Sequence, residues 1–401
     1  MRLTQSIVDN RIRSPFWLFL IGYLSYCAVY MARLNLTVVA ALLQTNGTLN
    51  HAQIGIIGSV FSFCYALSKI PNGFMGDRLN TKTVLVTGLV ITGFSNLLIG
   101  FFLRYETMVV LWGINAFGQS MLWGVLLRSY RAFFDARTYQ GTVHRLISSV
   151  AVGSILGLLL ASCCANAFGA AACFFVPGGI ALLMAFIVLS FFPGVPGLNK
   201  TQSGASALLS VTRDLLHSQR FRSAIVPAMA HGMIKDNLNV WLAVFFSTVY
   251  HLDLASLRGF LFFIPLFALL GRLIYPFGGR LVQSELGLVK LSFLICAILN
   301  VLLAFCHFGP YVSLLCMGLD MALVSLINTF LLSSFPSELA QDASDSLAYS
   351  ASLMDLITYG GAGLGSILFG LSISHFGFSS MFLIWSVVSL LSLCFLPRLR
   401  H

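Results

Sequence analysis

Tyrosines and basic residues recur along this sequence at spacings that place them on shared helix faces. Tyr26, Tyr30 and Arg33 fall at i, i+4 and i+7, and Tyr65 and Lys69 fall at i and i+4, so each set lies on one side of an α-helix. A guanidinium can bind a phosphate through two parallel hydrogen bonds, an ammonium acts as a point charge, and phenols donate further hydrogen bonds. The pattern predicts a binding surface for an anion with several oxygens.

Charged residues inside the long apolar stretches are candidates for function, because a charge at membrane depth costs about 3 kcal/mol or more. They are Arg33, Lys69, Lys235, Asp236, Asp320 and Asp355. Alternatively, the basic residues pair with Asp320, Asp355 or backbone carbonyls and only hold helices together. Asp236 projects about 100° from Lys235 on a helix and could neutralise a group on another helix. We assign Asp236, Asp320, Asp355 and the potentially titrating His231, four residues before Lys235, to charge balance or coupling.

The composition requires lipid as the surrounding solvent. Of 401 residues, 58% are hydrophobic and 9% are charged, whereas an ordinary soluble domain has about a quarter charged residues. Apolar segments long enough to span a bilayer begin near residues 16, 52, 82, 107, 144, 171, 222, 258, 287, 309, 345 and 376. The prediction is an all-α membrane protein with twelve transmembrane helices.

The net charge of +10 would suggest nucleic acid in a soluble protein, but here it follows membrane topology. Lys and Arg collect in alternate connections, which the positive-inside rule places in the cytoplasm. These residues are Arg78, Lys82, Arg128, Arg131, Arg137, Arg145, Lys200, Arg213, Arg220, Arg222, Arg272, Arg280, Lys290, Arg398 and Arg400, whereas the outer connections carry only Arg104 and Arg258. We expect both termini in the cytoplasm, a location in the cytoplasmic membrane and no nucleic-acid partner.

Two halves of similar length are joined by a polar, Pro- and Gly-rich connection. We predict bundles over residues 1–192 and 222–401 and a cytoplasmic linker over 193–221. An offset of 202 residues maps Arg33 onto Lys235 and Arg78 onto Arg280, and Gly153-Ser154-Ile155-Leu156 recurs as Gly365-Ser366-Ile367-Leu368. The repeats predict two pseudo-symmetric six-helix bundles, the architecture of the major facilitator superfamily.

Several motifs resemble one family within that superfamily. The pattern Tyr65-x-x-x-Lys69-x-x-x-Gly73-x-x-x-Asp77-Arg78 is similar to the second span and following loop of the organophosphate:phosphate antiporters. The stretch from Tyr26 to Asn35 resembles their first span, the stretch from Gly232 to Trp241 their seventh, and Tyr359-Gly360-Gly361 their eleventh. The resemblance implies that Lys235 occupies the position of the family's second phosphate-binding arginine and that Tyr359 belongs to the site.

The resemblance has one departure that concerns the substrate. Glycerol-phosphate transporters carry a His before Asn-Val-Gly in the fifth span, whereas Ser149-Val150-Ala151-Val152-Gly153 has neither His nor Asn. Glycerol phosphate is therefore not implied. The family implies exchange of another organophosphate for phosphate by alternating access; the alternatives are a proton- or sodium-coupled symporter of an organic anion and a non-transporting sugar-phosphate receptor.

A cytoplasmic loop is predicted to control conformation. Asp77 and Arg78, with Arg128 and Arg131 at the next corner, can form a latch that opening on the inner side must break; a solvated loop is the alternative. No nucleotide-binding loop, catalytic triad or metal-ligand spacing appears in the sequence. We expect no enzyme activity and no cofactor or metal, and we expect a monomer.

Overall fold

The computed structural model of the chain describes residues 15–197, 213, 217–282, 284–306, 308–336 and 347–396. Most of the predicted linker lies outside the described residues, as do Lys200, Arg398, Arg400 and the side chains of Arg137 and Arg280. The helices, in span order, are Pro15–Thr45, His51–Arg78, Thr81–Phe101, Tyr105–Ser120 with Leu122–Phe133, Ala136–Phe168, Ala172–Phe191, Gln219–Val249, Leu254–Leu281, Glu285–Phe305, Pro310–Thr329 continued by the π-helical turn Phe330–Ser334, Leu347–Phe376 and Phe378–Phe395.

The predicted all-α membrane fold is confirmed. Within the described ranges, eleven spans are long and apolar enough to cross a membrane. The remaining span, Gln219–Val249, has 31 residues, well above the roughly 20 that a bilayer requires, but it includes Lys235 and Asp236. The seventh span is therefore the least apolar because it carries the charged groups that the sequence marks as functional.

The fifth span begins earlier than predicted, whereas the other predicted starts lie within four residues of the observed ones. Its helix starts at Ala136 rather than near residue 144, and Asp135 caps it by accepting a hydrogen bond from the Thr138 amide, 2.8 Å away. The first two turns of this helix are polar, so hydropathy alone did not predict them. The Asp before the helix is nevertheless a typical N-cap.

Packing groups the described residues into two compact units. One unit contains those within 1–39 and 67–200, and the other those within 40–66 and 201–401. Residues 40–66 thus pack with the second unit although they lie early in the chain. Because packing assigns a residue to its neighbours rather than to its repeat, the division into bundles 1–192 and 222–401 stays a prediction.

Glycines bring helix backbones together behind both predicted cation sites. In the first unit, a Cβ on Gly153 of the fifth span would lie 2.9 Å from the Cys27 Cα of the first span. In the second unit, a Cβ on Gly232 of the seventh span would overlap the Thr358 carbonyl oxygen of the eleventh, and one on Gly361 would overlap that of Met229. Small residues allow such close contact, so the same pairs of spans, five on one and eleven on seven, pack tightly in each unit.

Candidate functional site

The predicted face of the first span is present in the structure. The ring centroids of Tyr26 and Tyr30 are 5.5 Å apart, and the Arg33 guanidinium carbon lies 5.7 Å from the Tyr30 centroid. Tyr26 also packs on Trp123 of the fourth span, with centroids 5.1 Å apart. Tyr26 is buried, while Tyr30 and Arg33 are half-buried. The Tyr30 ring therefore orients the guanidinium through a cation–π contact and leaves it partly accessible.

The backbone beside Arg33 is held by amide side chains that the sequence analysis did not single out. The Ala32 carbonyl accepts hydrogen bonds from Asn96 Nδ2 at 3.3 Å, Asn115 Nδ2 at 3.2 Å and Gln119 Nε2 at 3.3 Å. All three donors are buried. The third and fourth spans therefore fix the height and rotation of the first span at the residue preceding Arg33.

Asn35 extends this amide network on the other side of Arg33. Its Nδ2 donates to Asn96 Oδ1 at 2.9 Å and to the Cys173 carbonyl of the sixth span at 3.0 Å. Its Oδ1 accepts a hydrogen bond from the Leu36 amide at 2.9 Å. In a regular helix this amide donates to the Ala32 carbonyl, which here accepts hydrogen bonds from the third and fourth spans. The sequence signal was available, because Asn115 and Gln119 stand at i and i+4 in an apolar helix.

Two of the predicted tyrosines meet within the second unit. The Tyr65 and Tyr359 ring centroids are 4.6 Å apart, and Tyr65 also stacks on Phe61 at 6.0 Å. Both tyrosines are buried. Lys69, one turn beyond Tyr65, is half-buried and groups with the first unit. The second span thus contributes side chains to both units.

Lys235 lies close to the adjacent carboxylate of Asp236. Its Nζ lies 3.8 Å from Asp236 Oδ1, with side-chain exposures of 20% and 15%. The sequence analysis left open that Asp236 neutralises a group on another helix; within the seventh span, flexible side chains bring the two charges into ion-pair range. Asp236 therefore offsets part of the positive charge of Lys235.

His231 is fully buried in the seventh span, one turn before Lys235. It interacts electrostatically with Lys235 and with Arg272 of the eighth span, and it lies against the Val324 carbonyl of the tenth span. Among the described residues, neither ring nitrogen has a hydrogen-bond partner of normal geometry. A buried imidazole thus lies near two basic residues.

The location of Arg272 corrects the sequence analysis, which placed it in a cytoplasmic connection. It lies inside the eighth candidate span, Ser256–Gly279, seven residues before the end of that span, and is half-buried. The error arose because Arg272 was grouped with Arg280, which lies eight residues further along the same helix, and this helix ends only at Leu281. Arg272 is a further ionisable group at membrane depth.

The two other acidic candidates lie in different environments. Asp320, fully buried in the tenth span, accepts a hydrogen bond from Asn300 Nδ2 of the ninth span at 2.6 Å. Asp355 is half-buried in the eleventh span, one turn before Tyr359. Asp320 thus links two neighbouring spans, whereas Asp355 lies next to a predicted site residue.

One of the predicted gating residues makes specific contacts. Arg128 donates hydrogen bonds to the carbonyls of Gly76, Leu79 and Pro196, with 3.3 Å to that of Leu79. A cation at the C-terminal carbonyls of a helix complements its dipole. Asp77, Arg78 and Arg131 are exposed. Arg128 thus holds the end of the second span against the segment that follows the sixth.

That segment, the start of the predicted linker, is ordered against the loop between the second and third spans. The Thr81 amide donates to the Val195 carbonyl at 3.0 Å, and the Val195 amide donates to Thr81 Oγ1 at 2.9 Å. A Cβ on Gly197 would overlap the Arg78 carbonyl oxygen. Pro193–Gly197 is therefore a fitted contact rather than free linker.

These helices and their intramembrane charges define a polytopic membrane protein of the carrier class. The model of the Major Facilitator Superfamily matches residues 19–347, and this chain belongs to that superfamily.

Three relatives indicate which group within the superfamily the chain resembles. A "Probable hexose phosphate transport protein" of Chlamydia trachomatis is 27% identical over 234 residues, covering 56% of this chain and 51% of that protein. The "Membrane sensor protein UhpC" of Escherichia coli is 30% identical over 188 residues, 41% of this chain and 42% of that protein. A "Phosphoglycerate transporter protein" of Salmonella typhimurium is 25% identical over 416 aligned positions, 94% of this chain and 87% of that protein. The resemblance to the organophosphate:phosphate antiporter group is confirmed, although the chain spans about half the length of the first of these relatives.

Solved structures support the fold. A mutant of the nucleoside transporter NupG superposes with a TM-score of 0.77 at 16% identity, covering 94% of this chain and 98% of that one. A bacterial homologue of the human lysosomal transporter Spinster gives 0.76 at 16% identity, covering 96% and 95%. At this identity the likeness concerns the fold alone.

Proposed function

We propose that this protein carries an organophosphate, such as a sugar phosphate, across the cytoplasmic membrane in exchange for inorganic phosphate. The observation that supports this best is the half-buried Arg33 guanidinium, stacked on Tyr30 inside a membrane helix. Such a cation is costly and marks a substrate pathway. Relatives named for hexose phosphate and phosphoglycerate transport favour the same class of substrate.

The proposed site uses cations from both halves of the chain. Arg33 binds the phosphate group with its guanidinium fork, Lys235 attracts it as a point charge, and Lys69 supplements the charge. The remaining donors are the phenols of Tyr26, Tyr30, Tyr65 and Tyr359. The part of the substrate beyond the phosphate contacts neutral and apolar side chains.

In this proposal, the positive charge of the site accounts for the exchange of one anion for another. Rocking of one bundle against the other exposes the site alternately to either side of the membrane. An empty site keeps an excess of positive charge in a low-dielectric region, whereas an occupied site is partly neutralised. Closure without an anion is therefore disfavoured, which couples the outward movement of one anion to the inward movement of another.

The test is phosphate entry into proteoliposomes that are preloaded with phosphate or left empty. We expect entry of labelled phosphate only into preloaded vesicles, competition by sugar phosphates, and loss of exchange in Lys235→Ala. Equal entry into empty vesicles would contradict exchange. Uptake that rises with external acidity and needs no internal phosphate would instead indicate proton-coupled symport, with Asp320 or Asp355 as the proton carrier.

A second candidate function is that of a non-transporting sensor of a sugar phosphate. It is favoured by the similarity to the membrane sensor protein UhpC, 30% identical over the matched residues. A sensor would bind the ligand in detergent without catalysing flux in proteoliposomes, and it would purify with another membrane protein. Flux above that of protein-free vesicles decides for the transporter.

The location and assembly belong to the same proposal. We place the protein in the cytoplasmic membrane as a monomer with both termini in the cytoplasm, because Lys and Arg collect on that side. Its partners are the small anionic substrate, inorganic phosphate and the bilayer.

A further inference from the structure

The eighth span carries a basic residue that the proposed site does not use. Arg272 lies nine residues before the helix ends at Leu281, which is about 14 Å along the axis at 1.5 Å per residue. An arginine at this depth is costly unless it binds a partner or faces a polar space.

The position of Arg272 is within one residue of that of Lys69 in the other half of the chain. The helices of the second and eighth spans both contain 28 residues, and an offset of 203 maps His51 onto Leu254, Lys69 onto Arg272 and Arg78 onto Leu281. At the offset of 202 that aligns Arg33 with Lys235, Lys69 aligns with Gly271, so the two basic residues stand within one residue of each other in equivalent helices. Each half contains a pair of basic residues, on its first and second spans.

The side chain of Arg272 lies on the helix face away from lipid. The exposed large apolar residues of this helix form one stripe, which contains Phe263, Leu270, Leu273, Ile274 and Phe277. At 100° per residue, Arg272 is about 150° from the middle of that stripe. At the preceding residue, a Cβ on Gly271 would overlap the Ala322 carbonyl oxygen of the tenth span. Arg272 therefore faces the protein side of its helix.

The neighbours of Arg272 form a positive and incompletely hydrogen-bonded group. The fully buried His231 interacts electrostatically with both Arg272 and Lys235. Among the described residues, neither nitrogen of its ring has a hydrogen-bond partner of normal geometry, although the ring lies against the Val324 carbonyl, and buried polar atoms normally have one. An oxygen-rich anion near these three side chains would bring charge to the cations and a hydrogen-bond partner to the imidazole.

We propose that Arg272 is a further substrate-binding residue, the second-half counterpart of Lys69, and that it contacts an anionic group of the transported molecule together with Lys235. This inference rests on the proposed transport of a phosphate-containing anion. It extends the site from three basic residues to four, two from each half. The preferred ligand is then an anion with enough oxygens to contact several cations at once.

The experiment compares Arg272→Gln, Arg272→Lys and Arg258→Gln in proteoliposomes preloaded with phosphate. Arg258→Gln is the matched control, because it removes an arginine from the outer end of the same helix. The apparent KM and maximal rate for inorganic phosphate are measured in each variant. Phosphate-dependent thermal stabilisation in detergent gives a readout that is independent of flux.

We expect Arg272→Gln to raise the KM for phosphate about tenfold or more, the loss of roughly one charge-assisted hydrogen bond, and to lose the stabilisation by phosphate. Arg272→Lys should be intermediate, and Arg258→Gln should stay within about twofold of wild type. If Arg272→Gln lowers the melting temperature without phosphate but keeps the KM and the phosphate-induced shift, Arg272 is structural and the inference is overturned. If wild type itself shows no phosphate exchange, the proposed function fails first and the inference falls with it.

Discussion

Arg33 is fixed from two directions. Its guanidinium lies over the Tyr30 ring, and the carbonyl of the preceding residue, Ala32, is bonded by three buried amides from neighbouring spans. Little conformational freedom is then lost when an anion binds, which is the advantage of a preorganised site. The shape of the arginine head group should therefore matter as much as its charge.

Replacing Arg33 by lysine tests that view. Lysine keeps the charge but loses the planar fork and most of the stacking on Tyr30, so we expect the KM for phosphate to rise about tenfold. Phosphate exchange in preloaded proteoliposomes measures this change. Arg104→Lys is the control, because Arg104 is exposed in an outer connection and its change should leave the KM alone. Equal KM values for Arg33→Lys and wild type would show that charge alone suffices.

The contact between Lys235 and Asp236 leads to an opposite prediction. The carboxylate lies 3.8 Å from the ammonium and competes with the substrate anion for it. Asp236→Asn should therefore lower the KM for phosphate by a few-fold, most strongly at low ionic strength. Competition assays at two salt concentrations would measure the effect. An unchanged or higher KM would indicate that Asp236 holds Lys235 in its binding position.

At the scale of single residues, periodicity predicted directions but not partners. The shared face of Tyr26, Tyr30 and Arg33 followed from helical spacing alone. The Lys235–Asp236 contact did not, because side-chain torsions bring together groups whose Cβ atoms point apart. Arg272 was misplaced because a basic residue near the end of a span resembles a topology signal until the helix boundary is known.

At the scale of helices, close packing of the seventh and eleventh spans depends on particular glycines. A Cβ on Gly361 would overlap the Met229 carbonyl oxygen, whereas one on the adjacent Gly360 meets nothing within 4 Å. Gly361→Ala should destabilise the protein by about 1–3 kcal/mol, the usual cost of overpacking. Gly360→Ala should be neutral or slightly stabilising, since alanine favours a helix. Thermal unfolding in detergent compares the two, and equal melting temperatures would contradict this packing.

The amide network next to Arg33 could be predicted from the sequence only in part. Asn96, Asn115 and Gln119 were visible as polar residues in apolar helices, but their common acceptor is one backbone carbonyl of another span. A contact of that kind depends on helix rotation and depth, which hydropathy does not define. By contrast, the glycine motifs of the fifth and eleventh spans were repeated in the sequence; in the structure, a Cβ on Gly153 would meet the backbone of the first span, whereas one on Gly365 would lie 3.1 Å from side chains of the seventh span.

The ordered start of the linker gives a prediction about the cytoplasmic loop. Gly197 lies against the Arg78 carbonyl. Arg128 donates hydrogen bonds to one carbonyl in each of the two segments that meet here, those of Gly76 and Pro196. Gly197→Ala should displace the segment and slow the maximal rate of exchange without changing the KM for phosphate, because the binding residues are elsewhere. Gly179→Ala is the control, since nothing lies within 4 Å of its added Cβ. A changed KM with an unchanged maximal rate would separate this contact from conformational control.

For the whole molecule, orientation is set by the side on which basic residues collect. With Arg272 in the eighth span, Arg280 and Lys290 still lie near the connection between the eighth and ninth spans, so the predicted orientation is unaffected. The predicted orientation places the outer end of the ninth span outside the cell, together with the exposed Cys306. The exposed Cys394, one residue before the twelfth helix ends at Phe395, is then on the cytoplasmic side.

A membrane-impermeant maleimide can test this orientation in intact cells. Thiols react as thiolates in water and not in lipid, so we expect labelling that Cys306→Ser abolishes or strongly reduces and that Cys394→Ser leaves unchanged. After permeabilisation, a further increase should depend on Cys394. The opposite pattern, with labelling of intact cells dependent on Cys394, would invert the topology. Inversion would also exchange the two sides of the proposed cycle, because the loop held by Arg128 would then face outwards.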